Sequence, residues 1–308
     1  VTRPLSGDQL ELVSDGYRAT VATVGATLRR LSHDGRDLVL PFEADELRPN
    51  YRGAVLAPWP NRVVDGRYRF AGVDHQLALT EPSRGHALHG LVSWLEFEVV
   101  ETAPDAVTLR TGIPAQAGYP FPLEVSVAYR LDSDGLTTVV SATNVGDAPA
   151  PYGTGPHPYL VGGEGRVDDW TLRLPARIVV DIVGERLLPG RTRSVGEGDG
   201  ELDFRVPRPV GTTFIDHAFG GLEPDADGVT TVTVTDRAGS GAGIRWETGL
   251  PWVQVHTADL PDEGPGAGRR GLAVEPMTCP PDAFNSAEDL IVLEPGATAT
   301  RSWTVFAV

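Results

Sequence analysis

The chain has 308 residues, a net charge of −16 from 26 basic and 42 acidic side chains, and one cysteine, Cys279. So acidic a surface repels phosphate backbones and anionic lipid, which argues against nucleic acid or a membrane as partner, and a lone cysteine excludes any internal disulfide. No run of 18 apolar residues occurs and Val1-Thr2-Arg3-Pro4-Leu5 lacks a signal-peptide core, so a soluble cytoplasmic protein is expected.

Gly (36) and Pro (26) make up about a fifth of the chain, above the usual ~12% and below the ~25–30% of low-complexity sequences. Many tight turns are the expected consequence. Alternation with period 2 recurs along the chain, and helical periodicity is nearly missing. A first strand is expected at 17–31. Arg67–Phe70 and Val73–Leu79, joined by Ala71-Gly72, have the pattern of a β-hairpin. Strands at 95–101 and 106–111 follow, then a second hairpin, Leu123–Arg130 and Leu136–Ala142, around Asp132-Ser133-Asp134-Gly135. Further strands are expected at 170–183, 229–235, 243–247, 252–257, 271–275 and 301–307, with mobile loops at 195–203 and 261–270. Many short strands between turn signals predict an all-β sandwich or barrel. Neither loop is long enough to separate two domains and no internal repeat occurs, so residues 1–308 are expected to form a single domain.

Three distant segments end on groups that can carry a proton: His86-Ala87-Leu88-His89-Gly90, Gly155-Pro156-His157-Pro158-Tyr159 and Gly271-Leu272-Ala273-Val274-Glu275-Pro276. His157 and Glu275 each precede a proline, which pushes them out of the helical region onto restrained, extended backbone. Alternation puts Val253 and Val255 on one face of their strand and Trp252, Gln254 and His256 on the other. In the next strand Leu272 and Val274 share one face, and Glu275 shares the other with small Ala273, which leaves room above the carboxylate. Glu275 is open to two readings, a general base tuned by partial burial or a strand-end carboxylate that reaches solvent or a structural arginine. His33, His75 and His86 are expected to be structural. Asn61-Arg62 offers an amide and a planar fork suited to vicinal hydroxyls or an anionic substituent. Asp216 could accept from hydroxyls or cap a turn. Trp59, Trp94, Tyr159 and Trp252 could stack on a sugar or fill the core. His86 and His89 lack a third ligand in a recognisable motif, so no metal is expected. GxSxG, GxxxxGK[ST] and a strand-to-helix GxGxxG are all missing. Glu223–Gly228 imitates the start of a calcium loop, but the twelfth position is Val234.

Taken in order, Asn61-Arg62 with Gly66-Arg67-Tyr68, Leu88-His89-Gly90, His157-Pro158-Tyr159, Ile215-Asp216-His217, Val253-Gln254-Val255 and Val274-Glu275-Pro276 with Pro281-Asp282-Ala283-Phe284-Asn285 resemble the aldose 1-epimerase (galactose mutarotase) family over nearly the whole chain. The resemblance implies a large antiparallel β-sandwich and interconversion of the α and β anomers of an aldose without a cofactor. It implies Glu275 as general base, His157 as general acid, His89 as a second histidine near the ring oxygen, and Asn61, Arg62, Asp216 and Gln254 as hydroxyl-binding residues. Pro58-Trp59-Pro60 before Asn61, Pro156 before His157 and Leu91 after Gly90 depart from the commonest family pattern. These departures resemble a bacterial branch whose sugars are less settled, which leaves galactose, glucose and an acidic or sulfonated aldose as candidate substrates. A hexose-6-phosphate mutarotase and a non-catalytic carbohydrate-binding protein are the alternatives.

Overall fold

Residues 3–259 and 268–308 are described by a computed structural model. Where turn and alternation signals agree, the chain folds as expected. Leu123–Asp132 and Gly135–Asn144 pair antiparallel from Asp132↔Gly135 to Leu123↔Asn144. Alternate residues Leu123, Val125, Val127, Tyr129 and Leu131 enter the core. The turn needs glycine at 135, where φ is 115° and a Cβ would lie 2.3 Å from the Val305 carbonyl oxygen.

Three sheets dominate, and every pairing between their strands is antiparallel. A nine-stranded sheet runs, edge to edge, Glu98–Ala103, Ala106–Ile113, Leu123–Asp132, Gly135–Asn144, Thr298–Ala307, Gly241–Trp246, Thr230–Thr235, Thr171–Arg173 and Arg208–Pro209. A six-stranded sheet runs Tyr159–Leu160, Leu272–Met277, Trp252–His256, Asp216–Leu222, Ala176–Val183 and Leu188–Ser194. Gln9–Ser14, Tyr17–Ala22, Thr27–His33 and Arg36–Asp37 form a four-stranded sheet. Their inner faces share one apolar core, to which Leu31, Val127, Val232, Val253, Val274 and Val305 all belong. The fold is thus a large antiparallel β-sandwich.

The expected strand at 17–31 is two strands, because the chain turns at Gly25 and Ala26, both with positive φ. The expected strand at 170–183 breaks at Leu174-Pro175, and its halves join different sheets. Pro175 has no N–H to continue a ladder. Both Gln9–Ser14 and Leu188–Ser194 are edge strands outside the expected set; Leu188–Ser194 has no apolar alternation, and in Gln9–Ser14 the alternation spans only Leu10 and Leu12. The expected loop at 195–203 consists of turns and bends. Of the expected loop at 261–270, residues 261–267 lie outside the described residues. Among the described residues the α-helix is a single turn, Ala283–Ser286, and no helix is long and apolar enough to cross a membrane.

Candidate active site

The polar face of the six-stranded sheet is ordered by register. Asp216, His256 and Ala273 lie opposite one another on neighbouring strands, with Tyr159 beyond Ala273. The next row places Gln254 beside Glu275. Val253, Val255, Leu272 and Val274 point the other way into the core, each adding roughly 1.5–3 kcal/mol by burial. That anchorage holds Gln254, His256 and Glu275 on the opposite face, lining a cavity of about 260 Å³. The volume falls below the ~300–1,000 Å³ of drug-sized pockets and suits one small polar molecule. Exposed or half-buried Asn50, Arg84, Leu187, Phe214 and Asp259 surround its mouth, and buried Asn61, His89, His157, Gln254 and Glu275 form its floor.

His157 and Pro158 lie between two short strands, Gly155–Pro156 and Tyr159–Leu160. The His157 backbone is tied on both sides: its N–H donates to Ala54 O at 2.9 Å, and its carbonyl accepts from Gly53 N at 2.8 Å. The ring then reaches Glu275, with Nε2 3.4 Å from Oε1. Burial, followed by the neighbouring His256 and the cationic Arg48 and Arg52, pushes His157 down to about 3. Burial, reinforced by Asp216 and opposed by Arg62, holds Glu275 well above the usual carboxylate range. Both shifts favour neutral forms, so the pair shares one proton.

His89 stands edge-on to His157, with ring centroids 4.9 Å apart. Its position rests on a reciprocal brace with Asn61: His89 N donates to Asn61 O at 2.9 Å, and Asn61 N donates to His89 Nδ1 at 3.2 Å. Both residues have left-handed backbone, φ 58° and 54°, a strained conformation that tertiary contacts must enforce. Gly90 follows at φ 76°, packed so closely that a Cβ would sit 2.1 Å from the Ala57 carbonyl oxygen. Because His89 Nδ1 accepts a hydrogen bond, Nε2 carries the ring proton. Burial, then His157, Arg62 and His256, keeps this imidazole neutral and well below its ordinary value.

Nitrogen and oxygen atoms of His89, His157 and Glu275 lie within 4.8 Å of one another, close enough for a metal ion. The donor set does not fit one. A metal-bound histidine presents a bare nitrogen to the ion and donates from the other, whereas His89 has the reverse arrangement.

Arg62 donates to both Glu81 oxygens, at 2.8 and 3.1 Å, and Arg84 donates to the same carboxylate at 2.7 Å. Burial pushes Glu81 up, but the two guanidiniums outweigh it and hold the carboxyl below its ordinary value. Gln254 Nε2 donates to Asp216 Oδ1 at 2.8 Å, and His256 Nδ1 lies 3.7 Å from that oxygen. His157 Nδ1, Gln254 Oε1, His256 Nδ1 and Glu275 Oε2 are buried without a hydrogen-bond partner, four unmet demands from residues lining one cavity.

The structure therefore brings together all seven residues singled out from sequence: Asn61, Arg62, His89, His157, Asp216, Gln254 and Glu275. Tyr51, Glu81, Arg84, Leu187, Phe214, His256 and Asp259 also line the cavity. Of these, only His256 had a signal, its shared face with Gln254. Trp59 and Trp252 are 2% and 4% exposed and their rings pack in the interior, whereas Tyr159, 3% exposed, lines the cavity and Trp94 is 50% exposed.

The chain is 38% identical to the uncharacterized protein YihR of Escherichia coli K12 over 292 residues, covering 94% of this chain and 90% of that protein. A GalM/aldose epimerase homologue from C. elegans superposes with a TM-score of 0.85 at 22% identity, covering 98% of each chain. A galactose 1-epimerase from Lactobacillus acidophilus superposes at 0.78 with 20% identity, covering 95% of this chain and 92% of that one. Structural likeness at such low identity speaks for the fold alone. The sequence model of the aldose 1-epimerase family, however, matches residues 8–306, and with this match the chain belongs to the aldose 1-epimerase family.

Proposed function

We propose that the protein interconverts the α and β anomers of an aldohexose by opening and reclosing the sugar ring. The observation that carries this reading is the 3.4 Å between His157 Nε2 and Glu275 Oε1 at the cavity floor. Opening a pyranose moves one proton off the anomeric hydroxyl and another onto the ring oxygen, and both oxygens are bonded to the same carbon. The two proton carriers must therefore stand side by side. Glycosidic cleavage instead uses carboxyl groups ~5–9.5 Å apart that flank the bond.

In this mechanism the proton that the pair shares passes from Glu275 to His157 once sugar hydroxyls reach the carboxyl group; Glu275 then takes the anomeric proton and His157 protonates the ring oxygen. The C1–O5 bond breaks, the aldehyde turns about C1–C2, and reclosure presents its other face. Reclosure reverses the roles: His157 takes the C5 hydroxyl proton and Glu275 returns one to the carbonyl oxygen. One proton shared by the pair serves both halves, so nothing is drawn from solvent. His89 Nε2–H would donate to the ring oxygen, and Asn61, Arg62, Asp216 and Gln254 would hold hydroxyls. The four orphaned polar atoms support a ligand that offers several donors and acceptors.

Polarimetry, or NMR exchange between anomers, on a panel of neutral, acidic, sulfonated and phosphorylated aldoses tests the reading. Acceleration of at least one unphosphorylated hexose is expected. A rate enhancement confined to phosphorylated sugars would point to a hexose-6-phosphate mutarotase. Sugar binding with no acceleration between about pH 5 and 9 would identify a carbohydrate-binding protein instead.

A further inference from the structure

Glu81 takes no part in the ring-opening steps, yet its buried carboxylate joins two guanidiniums beside the proton carriers. Arg62 gives it two parallel hydrogen bonds, from Nε at 2.8 Å and Nη2 at 3.1 Å, and Arg84 Nη1 gives a third at 2.7 Å. The Arg62 and Glu81 side chains are 11% and 9% exposed. Glu81 is also held by its backbone, which accepts from the N–H groups of Arg84, Gly85 and His86 and donates to His86 O. Arg84 is tied in turn to the turn that carries Leu187: its Nε donates to Glu185 O at 3.3 Å, and its carbonyl accepts from Arg186 Nε at 2.8 Å. The carboxylate therefore stays in place and Arg62 is fixed against it. Arg62 lines the cavity, and among the described residues its Nη1 makes no hydrogen bond.

We propose that Glu81 is a positioning residue, which holds Arg62 still and offsets its charge beside the Glu275–His157 pair. This rests on the anomerase reading above. Glu275 faces His157, His89 and Arg62 in the cavity, with Gln254, Asp216, His256 and Tyr159 on strands of its own sheet. Of these groups, Arg62 alone is a fixed cation. It draws the Glu275 carboxyl down while burial and Asp216 hold it up. A buried carboxyl beside an uncompensated guanidinium gives up its proton readily. With a bidentate partner on its fork, Arg62 offers the cavity a donor while most of its charge is answered elsewhere. Without Glu81 the guanidinium would turn to the other carboxylates whose field it feels, Asp216 and Glu275. An ion pair there would strip the proton that the mechanism needs. Glu81 is not itself among the groups that shift Glu275, so its influence passes through Arg62.

The test is Glu81→Gln, an amide of the same shape that leaves the backbone hydrogen bonds of the turn in place. Polarimetry on glucose and galactose gives the pH profile of kcat/KM. An NMR titration of the His157 ring nitrogens, assigned with His157→Ala, reports without any sugar when the shared proton leaves. In Glu81→Gln both transitions should move to lower pH by about one unit or more. Glu81→Asp keeps the charge and should stay within about half a unit of wild type. Arg62→Ala combined with Glu81→Gln should return the NMR transition to its wild-type position or above, because the two residues act in series. An unmoved transition in folded Glu81→Gln protein would overturn the proposal, even with a lowered melting temperature, since that is the mark of a purely structural residue. A shift that persists without Arg62 would overturn it as well. Should Glu81→Gln fail to fold, Glu81→Ala is read in the same titration with the same expected direction. If no sugar is accelerated at all, the anomerase reading falls, and the NMR titration still decides this one.

Discussion

Replacing Glu275 by glutamine tests the proposed base and the energetics of its burial in one variant. The side chain is 2% exposed, and one of its oxygens lacks a partner. An amide of the same shape keeps the packing against Ala273 and Gln254 and can still donate toward His157, but it cannot take a proton. A positioned base contributes ~10²–10⁴-fold, about 2.7–5.4 kcal/mol of barrier at 1.36 kcal/mol per decade. Accelerated mutarotation should fall by that factor while sugar affinity measured by calorimetry stays within a few-fold. The same substitution should stabilise the protein. Burial raises the Glu275 carboxyl above its unfolded value, so its contribution to stability is complete below that unfolded value, ~4.3, and is lost as pH rises toward the folded one. Glutamine carries no such penalty. At pH 8 the variant should gain about 1–3 kcal/mol, the usual penalty for an uncompensated buried polar group, and the gain should shrink toward pH 5. A mutarotation rate within threefold of wild type would refute the assignment of the base. A variant less stable than wild type at pH 8 would refute the account of its burial.

For His157→Ala, a loss of about 10²-fold or more is expected in polarimetry, and a loss below threefold would remove it from the acid role. The pH profile of kcat/KM should be broader than the ordinary carboxylate and imidazole values would allow, because burial lowers His157 to about 3 and raises Glu275 well above the carboxylate range; the second proton binds only in strong acid, and the shared one leaves above the ordinary carboxylate value. A bell narrower than about two units, centred between the ordinary values of ~4.3 and ~6.5, would contradict the shared-proton pair. Gly90→Ala must strain a positive φ and meet the Ala57 carbonyl, so thermal unfolding should show a loss of about 2 kcal/mol or more; an unchanged midpoint would show that the Asn61–His89 brace tolerates movement.

Part of this site was legible before any coordinates. His157 and Glu275 stand out because prolines hold them on extended backbone, and Gln254 and His256 because period-2 alternation leaves them no other face. The reciprocal brace of Asn61 and His89 was not legible, since asparagine and histidine adopt left-handed backbone more readily than most residues, but only tertiary contacts decide which of them do. Tyr51, Glu81, Arg84 and Leu187 come from turns and loops without periodicity, and only chain closure brings them to the cavity rim. The splits at Gly25 and Pro175 have visible causes. The edge strand Leu188–Ser194 does not, because a strand with little apolar surface leaves no alternating pattern, and in Gln9–Ser14 the pattern is only two leucines long.

The nine-stranded sheet has a consequence for how the protein is made. Thr298–Ala307 pairs with Gly135–Asn144 on one side and Gly241–Trp246 on the other, yet it leaves the ribosome after every other strand of that sheet. Until it arrives, two long rows of backbone donors and acceptors stand open, the kind of edge that recruits foreign strands. A nascent chain halted after Leu293 would already carry every residue described in the cavity, yet it would lack the strand that joins the two halves of the sheet behind it.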